Sequence, residues 1–415
     1  MLRILLRHFA VLGVLGALHP GIAGARTWSV NPDGTADALT IQAGLALAAD
    51  GDSVVVACGT YLEYQLVMKS GVTLISETGQ PDCVTIDAEG RGRVFYCLRV
   101  YEGAIVGFTA TGGSANYGGG IFCVSLSAPR LENCVFTGNR AIVGGGAYLH
   151  HSPLVVENCV FTNNQADYFG GGLAIEDFSD PELFACDIMG NTAGSHGGGV
   201  WSYLYSNPTL DECRITGNVS GATGGGVHSM ATGSIALENT LVSGNAAAQG
   251  GAVGSWSTNV SLTGCTVTGN SAAGSGGGLL GDLGAAFVVD RTILWDNCAA
   301  DGREVSLVDG ASSAGFECSD VDTTWGAFTG AASPAWTGTN FSADPLFCDA
   351  LSCTEAPSPT GTFDLGATSP CLEAQTAGCG RIGAFGPGAC NRSAESIAAR
   401  SWGRIKASYR SGLRP

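Results

Sequence analysis

Three side chains in the middle of this 415-residue chain could exchange protons near neutral pH: His150, Glu176 and His228. Imidazole and carboxylate groups are common general acids and bases, and two such groups flanking a glycosidic bond can cleave it. Aromatic residues that could stack on sugar rings lie in the same part of the chain: Tyr148, Trp201, Tyr203 and Trp256. Either role requires structural elements that bring these residues to one accessible face.

A glycine triplet followed by an apolar residue recurs along residues 118–305, at steps of 26, 26, 27, 27, 26, 26 and 26 residues. Units of this length bury their apolar faces only by stacking on their neighbours, so the repeat predicts a solenoid. The triplets, the sixth with Ala third and the last degenerate, begin at Gly118, Gly144, Gly170, Gly197, Gly224, Gly250, Gly276 and Gly302. Each unit also places an apolar residue three positions before an Asn, at Phe136/Asn139, Phe161/Asn164, Ile188/Asn191, Ile215/Asn218, Val242/Asn245, Val267/Asn270 and Leu294/Asn297.

The interior of each repeat predicts strands. Short alternating runs separated by Gly, Asn and Ser recur between triplets, without the i, i+3, i+4, i+7 apolar spacing of a helix. In one unit Leu131, Cys134 and Phe136 face inward, and the odd offset between the first two requires a bend at Asn133. Gly and Asn suit such corners because they tolerate left-handed backbone conformations. Coils stacked at about 4.8 Å would form an all-β, right-handed parallel β-helix.

The strand after each triplet would turn alternate side chains outward in two columns. With the aromatic residues exposed, these columns would form a sugar-binding groove in which His150, Glu176 and His228 are the candidate catalytic residues. An exposed strand also holds aromatic residues simply as β-formers, without any ligand. The first column is Phe122, Tyr148, Ala174, Trp201, His228, Gly254 and Leu280, and the second is Val124, His150, Glu176, Tyr203, Met230, Trp256 and Asp282.

The repeat resembles that of the polymorphic outer membrane proteins, which is marked by Gly-Gly-Ala-Ile-like tetrapeptides and Phe-x-x-Asn. Gly250-Gly251-Ala252-Val253 is similar to the first mark, and Phe136 to Asn139 matches the second. The order of Thr40-Ile41-Gln42 and Gly59-Thr60-Tyr61 resembles the N-terminal coils of pectin-lyase-like β-helix proteins. These resemblances imply a β-helix displayed at the cell surface or secreted, often with a role in adhesion.

The ends of the chain differ from its repeats. Residues 1–25 have the positive start, apolar segment and small-residue cleavage site of a secretory signal peptide, which predicts an extracellular or outer-membrane-surface location. Within a single β-helix domain at 26–390, an Ala- and Leu-rich stretch at 40–49 predicts a short helix capping the first coil. Residues 306–390 are interpreted as the C-terminal cap, and 391–415 as a basic tail.

The cysteines divide into two groups. Cys residues in one inward column should be buried free thiols, because stacked side chains point alike and do not face one another. Their spacing lacks the paired pattern of zinc sites, so no metal site is predicted. In the C-terminal region we predict a disulfide between Cys348 and Cys353. The column comprises Cys134, Cys159, Cys186, Cys213 and Cys265, with Thr240 and Thr292 in the two remaining units.

The charge of the domain and the absence of known motifs reduce the number of candidate partners and cofactors. Residues 26–390 hold 11 basic and 35 acidic side chains, a net charge of −24 that disfavours nucleic acid and anionic polysaccharide as partners. The calcium-binding nonapeptide, the P-loop and the zinc-protease motif are absent from the sequence, so no cofactor is predicted and calcium has no motif to support it.

We therefore expect an exported, monomeric β-helix without a transmembrane segment after signal removal. Binding or adhesion along its long face is the favoured function, with polysaccharide or the surface glycans of a host or neighbouring cell as candidate partners. A polysaccharide lyase or glycoside hydrolase is the first alternative, since it would need convergent acid–base residues on adjacent coils. A structural envelope protein, which needs no ligand site, is the second.

Overall fold

A computed structural model describes residues 24–388 except 325 and 377. The predicted signal peptide lies almost wholly outside the described residues, as does the whole of the basic tail. Each regular coil runs through four short strands, and the chain then repeats the circuit one level further along the axis. Strands of successive coils pair in parallel and in register, so that Phe136 lies beside Phe161 and His150 beside Glu176. The architecture is a parallel β-helix, as predicted.

Two of the four sheets flank the bend at Asn133 and its equivalents, one on each side of it. The larger has 13 strands in the described chain and precedes the bend: Thr27–Val30, Ser53–Val56, Val72–Ser76, Gly103–Val106, Arg130–Glu132, Val155–Glu157, Glu182–Phe184, Thr209–Asp211, Ser234–Glu238, Asn259–Thr263, Ala286–Asp290, Ser313–Glu317 and Ala335–Thr337. The second, called the FxxN sheet, follows the bend: Gly59–Tyr61, Val84–Asp87, Phe108–Thr111, Val135–Thr137, Val160–Thr162, Asp187–Met189, Arg214–Thr216, Leu241–Ser243, Thr266–Thr268, Ile293–Trp295 and Asp320–Val321.

The other two sheets meet at the glycine triplets. The pre-triplet sheet contains Ser114–Tyr117, Arg140–Val143, Gln165–Phe169, Thr192–Ala193, Val219–Ser220, Ala246–Ala247 and Ser271–Ala272. The post-triplet sheet contains Leu66–Val67, Phe95–Leu98, Ile121–Val124, Ala147–His150, Leu173–Glu176, Val200–Tyr203, Val227–Met230, Val253–Trp256, Leu279–Asp282, Val305–Leu307 and Phe328–Gly330.

A short helix, Ile41–Leu47, covers the first coil, which confirms the predicted capping helix. Thr40 caps it by accepting a hydrogen bond from the Ala43 N–H. Ile41 and Leu45 are fully buried against the first strands, so the helix closes the apolar end of the coil stack. Among the described residues no helix is long and apolar enough to cross a bilayer.

The Asn residues of the repeats form a buried column, the asparagine ladder: Asn139, Asn164, Asn191, Asn218, Asn245, Asn270 and Asn297. The Oδ1 of Asn218 accepts hydrogen bonds from both the backbone N–H and Nδ2 of Asn191, each at 3.0 Å. The Nδ2 of Asn218 donates in turn to Oδ1 of Asn245 and to the carbonyl of Ile188. These asparagines are not the left-handed residues of the turn, since positive φ falls on the preceding position, as at Gly138.

The glycine triplets leave no room for side chains. A Cβ on Gly198, the middle residue of its triplet, would lie 2.4 Å from the carbonyl oxygen of Gly225 and 2.5 Å from that of Val219. The first glycine of the same triplet, Gly197, has φ +66. The chain therefore turns a very tight corner between the pre-triplet and post-triplet strands, and this corner repeats in each regular coil.

The inward cysteine column is buried and free in the described structure, as predicted. Burial raises the pKa of Cys265 to about 12. Elsewhere in the described residues, disulfides join Cys58 to Cys83, Cys298 to Cys353 and Cys318 to Cys379. Cys353 is thus bonded to Cys298, and the predicted Cys348–Cys353 bond is wrong. Sequence proximity misled the prediction, because Cys353 lies in a short 3₁₀ turn, Cys353–Glu355, that packs against an earlier coil.

The region predicted as the C-terminal cap covers a side of the β-helix. After the last coil strand, Ala335–Thr337, the chain returns along the outer face of the FxxN sheet. There it forms an antiparallel pair, Phe347–Asp349 with Thr362–Leu365, and a second 3₁₀ turn, Glu373–Gln375. Outward residues of the coils are buried beneath it, with Leu241 packing against Leu351 and Phe363. This face is therefore closed to ligands along those coils.

Candidate functional site

The first outward column of the post-triplet sheet is buried. Tyr148 is 5 % exposed, Trp201 4 % and His228 0 %, although all three point out of the coil. The residue before each triplet covers them, because the tight glycine corner folds the two strands against each other. Phe169 stacks on Trp201 with 4.6 Å between ring centroids, and His196 stacks on His228 at 4.7 Å.

This burial corrects two predictions. Tyr148 and Trp201 do not offer free ring faces to a sugar, since Tyr117 and Phe169 occupy that side. His228 has no access to a substrate, and burial holds its pKa well below the ordinary value, so the imidazole stays neutral.

The second outward column remains half-buried and faces solvent along the whole post-triplet sheet. Its members lie directly beside one another in neighbouring strands, so the column is continuous. His150 and Glu176 make one half polar, and Tyr203, Met230 and Trp256 make the other half aromatic and apolar. Of the predicted binding residues, the fold thus leaves Tyr203 and Trp256 half-exposed. One side of each ring packs on a neighbour, Tyr203 on Trp201 and Trp256 on His196 and His228.

A third line of residues, absent from the sequence predictions, lies where the post-triplet strands end. Phe178 is 56 % exposed and Tyr205 49 % exposed, and their rings stack with centroids 5.0 Å apart. His151 extends the stack, with 5.9 Å between its ring and that of Phe178. The three positions are each 27 residues apart, and this spacing could have identified them from the sequence. We call His151, Phe178 and Tyr205 the exposed ring stack.

Of the three candidate proton-exchanging residues, His150 and Glu176 are neighbours in register, and His228 lies apart from them. His150 and His228 lie on strands three coils apart, which corresponds to about 14 Å at the usual strand spacing. Glu176 accepts a hydrogen bond from the Tyr148 hydroxyl, and the pKa of that hydroxyl is raised, first by burial and then by this contact. His150 instead contacts Asp177, with 3.2 Å between Nε2 and Oδ2. Although they are neighbours in register, His150 and Glu176 are therefore each engaged by another side chain, and His228 lies too far away to act with them.

Two protein-family models match parts of the β-helix. A family model described as "Right handed beta helix region" matches residues 169–293. The chain is a right-handed parallel β-helix. The model of the Chlamydia polymorphic membrane protein repeat matches residues 158–176 of this β-helix, which include the second Phe-x-x-Asn and its following triplet. No curated protein matches the chain significantly.

Two solved structures resemble the β-helix. The crystal structure of pectate lyase Pel9A is 12 % identical, with a TM-score of 0.52 over 89 % of this chain and 98 % of that chain. Pectin methylesterase from carrot is 10 % identical, with a TM-score of 0.33 over 77 % of this chain and 91 % of the other. At such identity the likeness to the lyase shows the fold alone.

Two groups of side chains in the described β-helix could hold a metal ion by proximity: Cys58, Glu77 and Cys83, and His150, His151 and Asp177. The first is excluded because its two cysteines are joined in a disulfide and offer no thiolate. The second group is open to solvent and combines two imidazoles with one carboxylate. It lies at the polar end of the second outward column.

Proposed function

We propose that this β-helix is a secreted or surface-displayed protein that binds a neutral glycan along its post-triplet face. The observation that carries the proposal is the solvent-facing run of Tyr203, Met230 and Trp256 on consecutive coils, which continues into a polar half at Glu176 and His150. A binding face of this kind combines apolar contact with a few polar groups that fix orientation.

The post-triplet face is open to solvent, which supports binding of a ligand along it. The C-terminal segment covers part of the FxxN sheet, whereas the second outward column stays solvent-facing from coil to coil. A linear ligand running along the axis would meet a new side chain at each coil, about 4.8 Å from the last. The exposed ring stack lies beside this path and would add contact area.

Charge selects among glycans. The domain carries a net charge of −24, so an anionic polysaccharide would be repelled unless cations screened it. A neutral polysaccharide has no such cost. Secretion or surface display is supported by the predicted signal peptide at residues 1–25 and by the likeness to the Chlamydia polymorphic membrane protein repeat.

Catalysis on a glycan is the weaker candidate. Both halves of a glycosidase site must act on one bond, and carboxyl groups in known glycosidases lie within about 5–10 Å of each other. Here His228 is buried and lies three coils from His150. His150 and Glu176 are neighbours in register, but Asp177 already contacts the first and Tyr148 bonds to the second, so the lyase or hydrolase is the less supported alternative.

A glycan array probed with the full chain, with and without calcium, tests the proposal. We expect binding to neutral glycans that weakens at least tenfold in Tyr203→Ala and Trp256→Ala. Trp336→Ala is the matched control, because Trp336 is an exposed aromatic residue on the 13-stranded sheet. Equal binding by all three variants would refute the post-triplet face as the site.

Product assays on the same glycans separate the alternatives. Release of an unsaturated sugar, followed by its absorbance, would establish a lyase and overturn the binding-only proposal. No binding to any glycan would favour the structural envelope role instead. Circular dichroism of each variant shows whether a loss of binding reflects a loss of fold.

A further inference from the structure

His150, His151 and Asp177 bring three ligand-type atoms together at the edge of the post-triplet sheet. Oδ2 of Asp177 lies 3.2 Å from Nε2 of His150 and 3.5 Å from Nδ1 of His151. One ligand atom from each of the three residues lies within 4.8 Å of the other two. In a tetrahedral zinc site with metal–ligand bonds of about 2.05 Å, neighbouring ligand atoms are about 3.3 Å apart. Two of the three separations in the cluster already match that distance.

From this geometry we propose that His150, His151 and Asp177 form a binding site for a divalent transition-metal ion of the zinc class. Two imidazoles and a carboxylate suit Zn²⁺ and similar ions, whereas Ca²⁺ and Mg²⁺ prefer oxygen ligands alone. Three protein ligands also leave a coordination position open for water or for an atom of an external ligand.

The backbone explains how adjacent histidines can act together. Consecutive residues of a strand point to opposite faces, so a regular strand would separate the rings of His150 and His151. His151 instead has φ 48, in the left-handed region, and its ring turns back beside that of His150. Their Nδ1 atoms lie 3.2 Å apart as a result. In the next coil Asp177 takes the same corner position with φ 57 and points its carboxylate at both rings.

Equivalent corners show that the fold does not require this cluster. The same left-handed corner recurs in the neighbouring coils of the described chain, where residues such as Leu204 and Ala231 occupy it. Those residues offer no ligand atoms, and the coils stack equally well there. The imidazole and carboxylate groups at 150, 151 and 177 are therefore an addition to the fold, confined to two adjacent coils.

Solvent access and a neighbouring carboxylate also favour the binding of a metal ion at these three residues. The side chains of His150, His151 and Asp177 are 32 %, 38 % and 24 % exposed, so an ion can enter from solvent while the site remains partly shielded. Glu176 adds a second carboxylate next to His150 in register. Its hydrogen bond from Tyr148 holds it in place at the border of the site.

Isothermal titration of the full chain with Zn²⁺, and with Co²⁺ as a spectroscopic probe, tests the site. We expect one ion per chain, with visible Co²⁺ absorption bands of a site with nitrogen and oxygen ligands. Asp177→Asn and His150→Ala should each weaken Zn²⁺ binding at least tenfold. Asp180→Asn is the matched control, because Asp180 lies in the same coil but bonds to Asn207.

Two results would overturn the proposal. Wild-type chain that fails to bind Zn²⁺ at micromolar concentration would show that Asp177 serves only as a hydrogen-bond acceptor for the two rings. Binding that persists unchanged in both Asp177→Asn and His150→Ala would place the ion elsewhere. Thermal unfolding of each variant without metal confirms that it is folded. The metal and glycan tests remain distinguishable, because Tyr203 and Trp256 are not metal ligands, although His150 belongs to both the proposed metal site and the polar half of the glycan-binding face.

Discussion

The asparagine ladder inside the β-helix and the second outward column outside it follow the same backbone register but differ in one respect. Inside, seven coils carry the same residue. Outside, the column changes at every coil, from His150 to Glu176, Tyr203, Met230 and Trp256. Each ladder residue completes the hydrogen bonds of its neighbour, so every regular coil needs Asn at this position. The outward side chains have no such constraint, and a function specific to this chain can therefore depend on their differences.

Replacing one ladder residue tests whether stability depends on an Asn in each coil. In Asn218→Leu the side chain keeps its size but loses four hydrogen bonds, two accepted from Asn191 and two donated to Asn245 and Ile188. We expect the free energy of unfolding to fall by about 4 kcal/mol, because buried polar partners are left unpaired. Denaturant unfolding measures the change.

An exposed asparagine is the control for that substitution. Asn259 begins a strand of the 13-stranded sheet and faces solvent, so Asn259→Leu should change stability by less than about 0.5 kcal/mol. A loss in Asn218→Leu no larger than in the control would mean that the ladder repeats for a reason other than stability.

The ladder ends at a residue that differs in kind. Glu304 stands where the regular triplets have their third glycine, and its two carboxylate oxygens accept hydrogen bonds from the N–H and Nδ2 of Asn297. Burial raises the pKa of Glu304 to about 8. The folded chain therefore holds a proton there that the unfolded chain releases near its ordinary pKa of 4.5.

The sign of the pH dependence follows from that difference. Between about pH 5 and 8 the folded state binds more protons, so stability falls as pH rises and levels off above 8. We expect Glu304→Gln to remove a decline of roughly 3 kcal/mol over this range. Asp320, whose pKa is raised to about 6 by burial, contributes in the same direction to both proteins. Denaturant unfolding of the two proteins at each pH isolates Glu304, and parallel curves would contradict its assigned role.

The sequence period was sufficient to predict the coils and the inward cysteine column, because both depend on contacts between equivalent positions. The capping helix lies outside the repeat and was predicted from its Ala- and Leu-rich composition. The burial of Trp201 was missed because Phe169, which covers it, lies across the glycine corner in a different strand. The pairing of His150 with His151 was missed because strand alternation places neighbours on opposite faces, and a left-handed φ overrides that rule. Local backbone geometry causes both the burial of Trp201 and the pairing of His150 with His151, and neither feature repeats along the sequence as a residue type.

Two stacked ring pairs, one inside the β-helix and one on its surface, have matching geometry and differ in burial. Inside, Phe136 and Phe161 stack with centroids 5.0 Å apart and an interplanar angle of 7°. Outside, Phe178 and Tyr205 stack at the same 5.0 Å with an angle of 11°. The ring geometry is matched, so burial is the variable that differs between the pairs.

Truncating one ring of each pair should therefore show how much a buried and an exposed ring each contribute to the free energy of unfolding. We expect Phe161→Ala to lower the unfolding free energy by about 3–5 kcal/mol, because it opens a cavity in the core. Phe178→Ala should cost less than about 1 kcal/mol, since the ring is half in solvent and loses little beyond the stacking contact. Denaturant unfolding of both variants provides the test. If Phe178→Ala destabilised the chain as much as Phe161→Ala, the exposed ring stack would be part of the fold, and its proposed contribution to ligand binding would lose its basis.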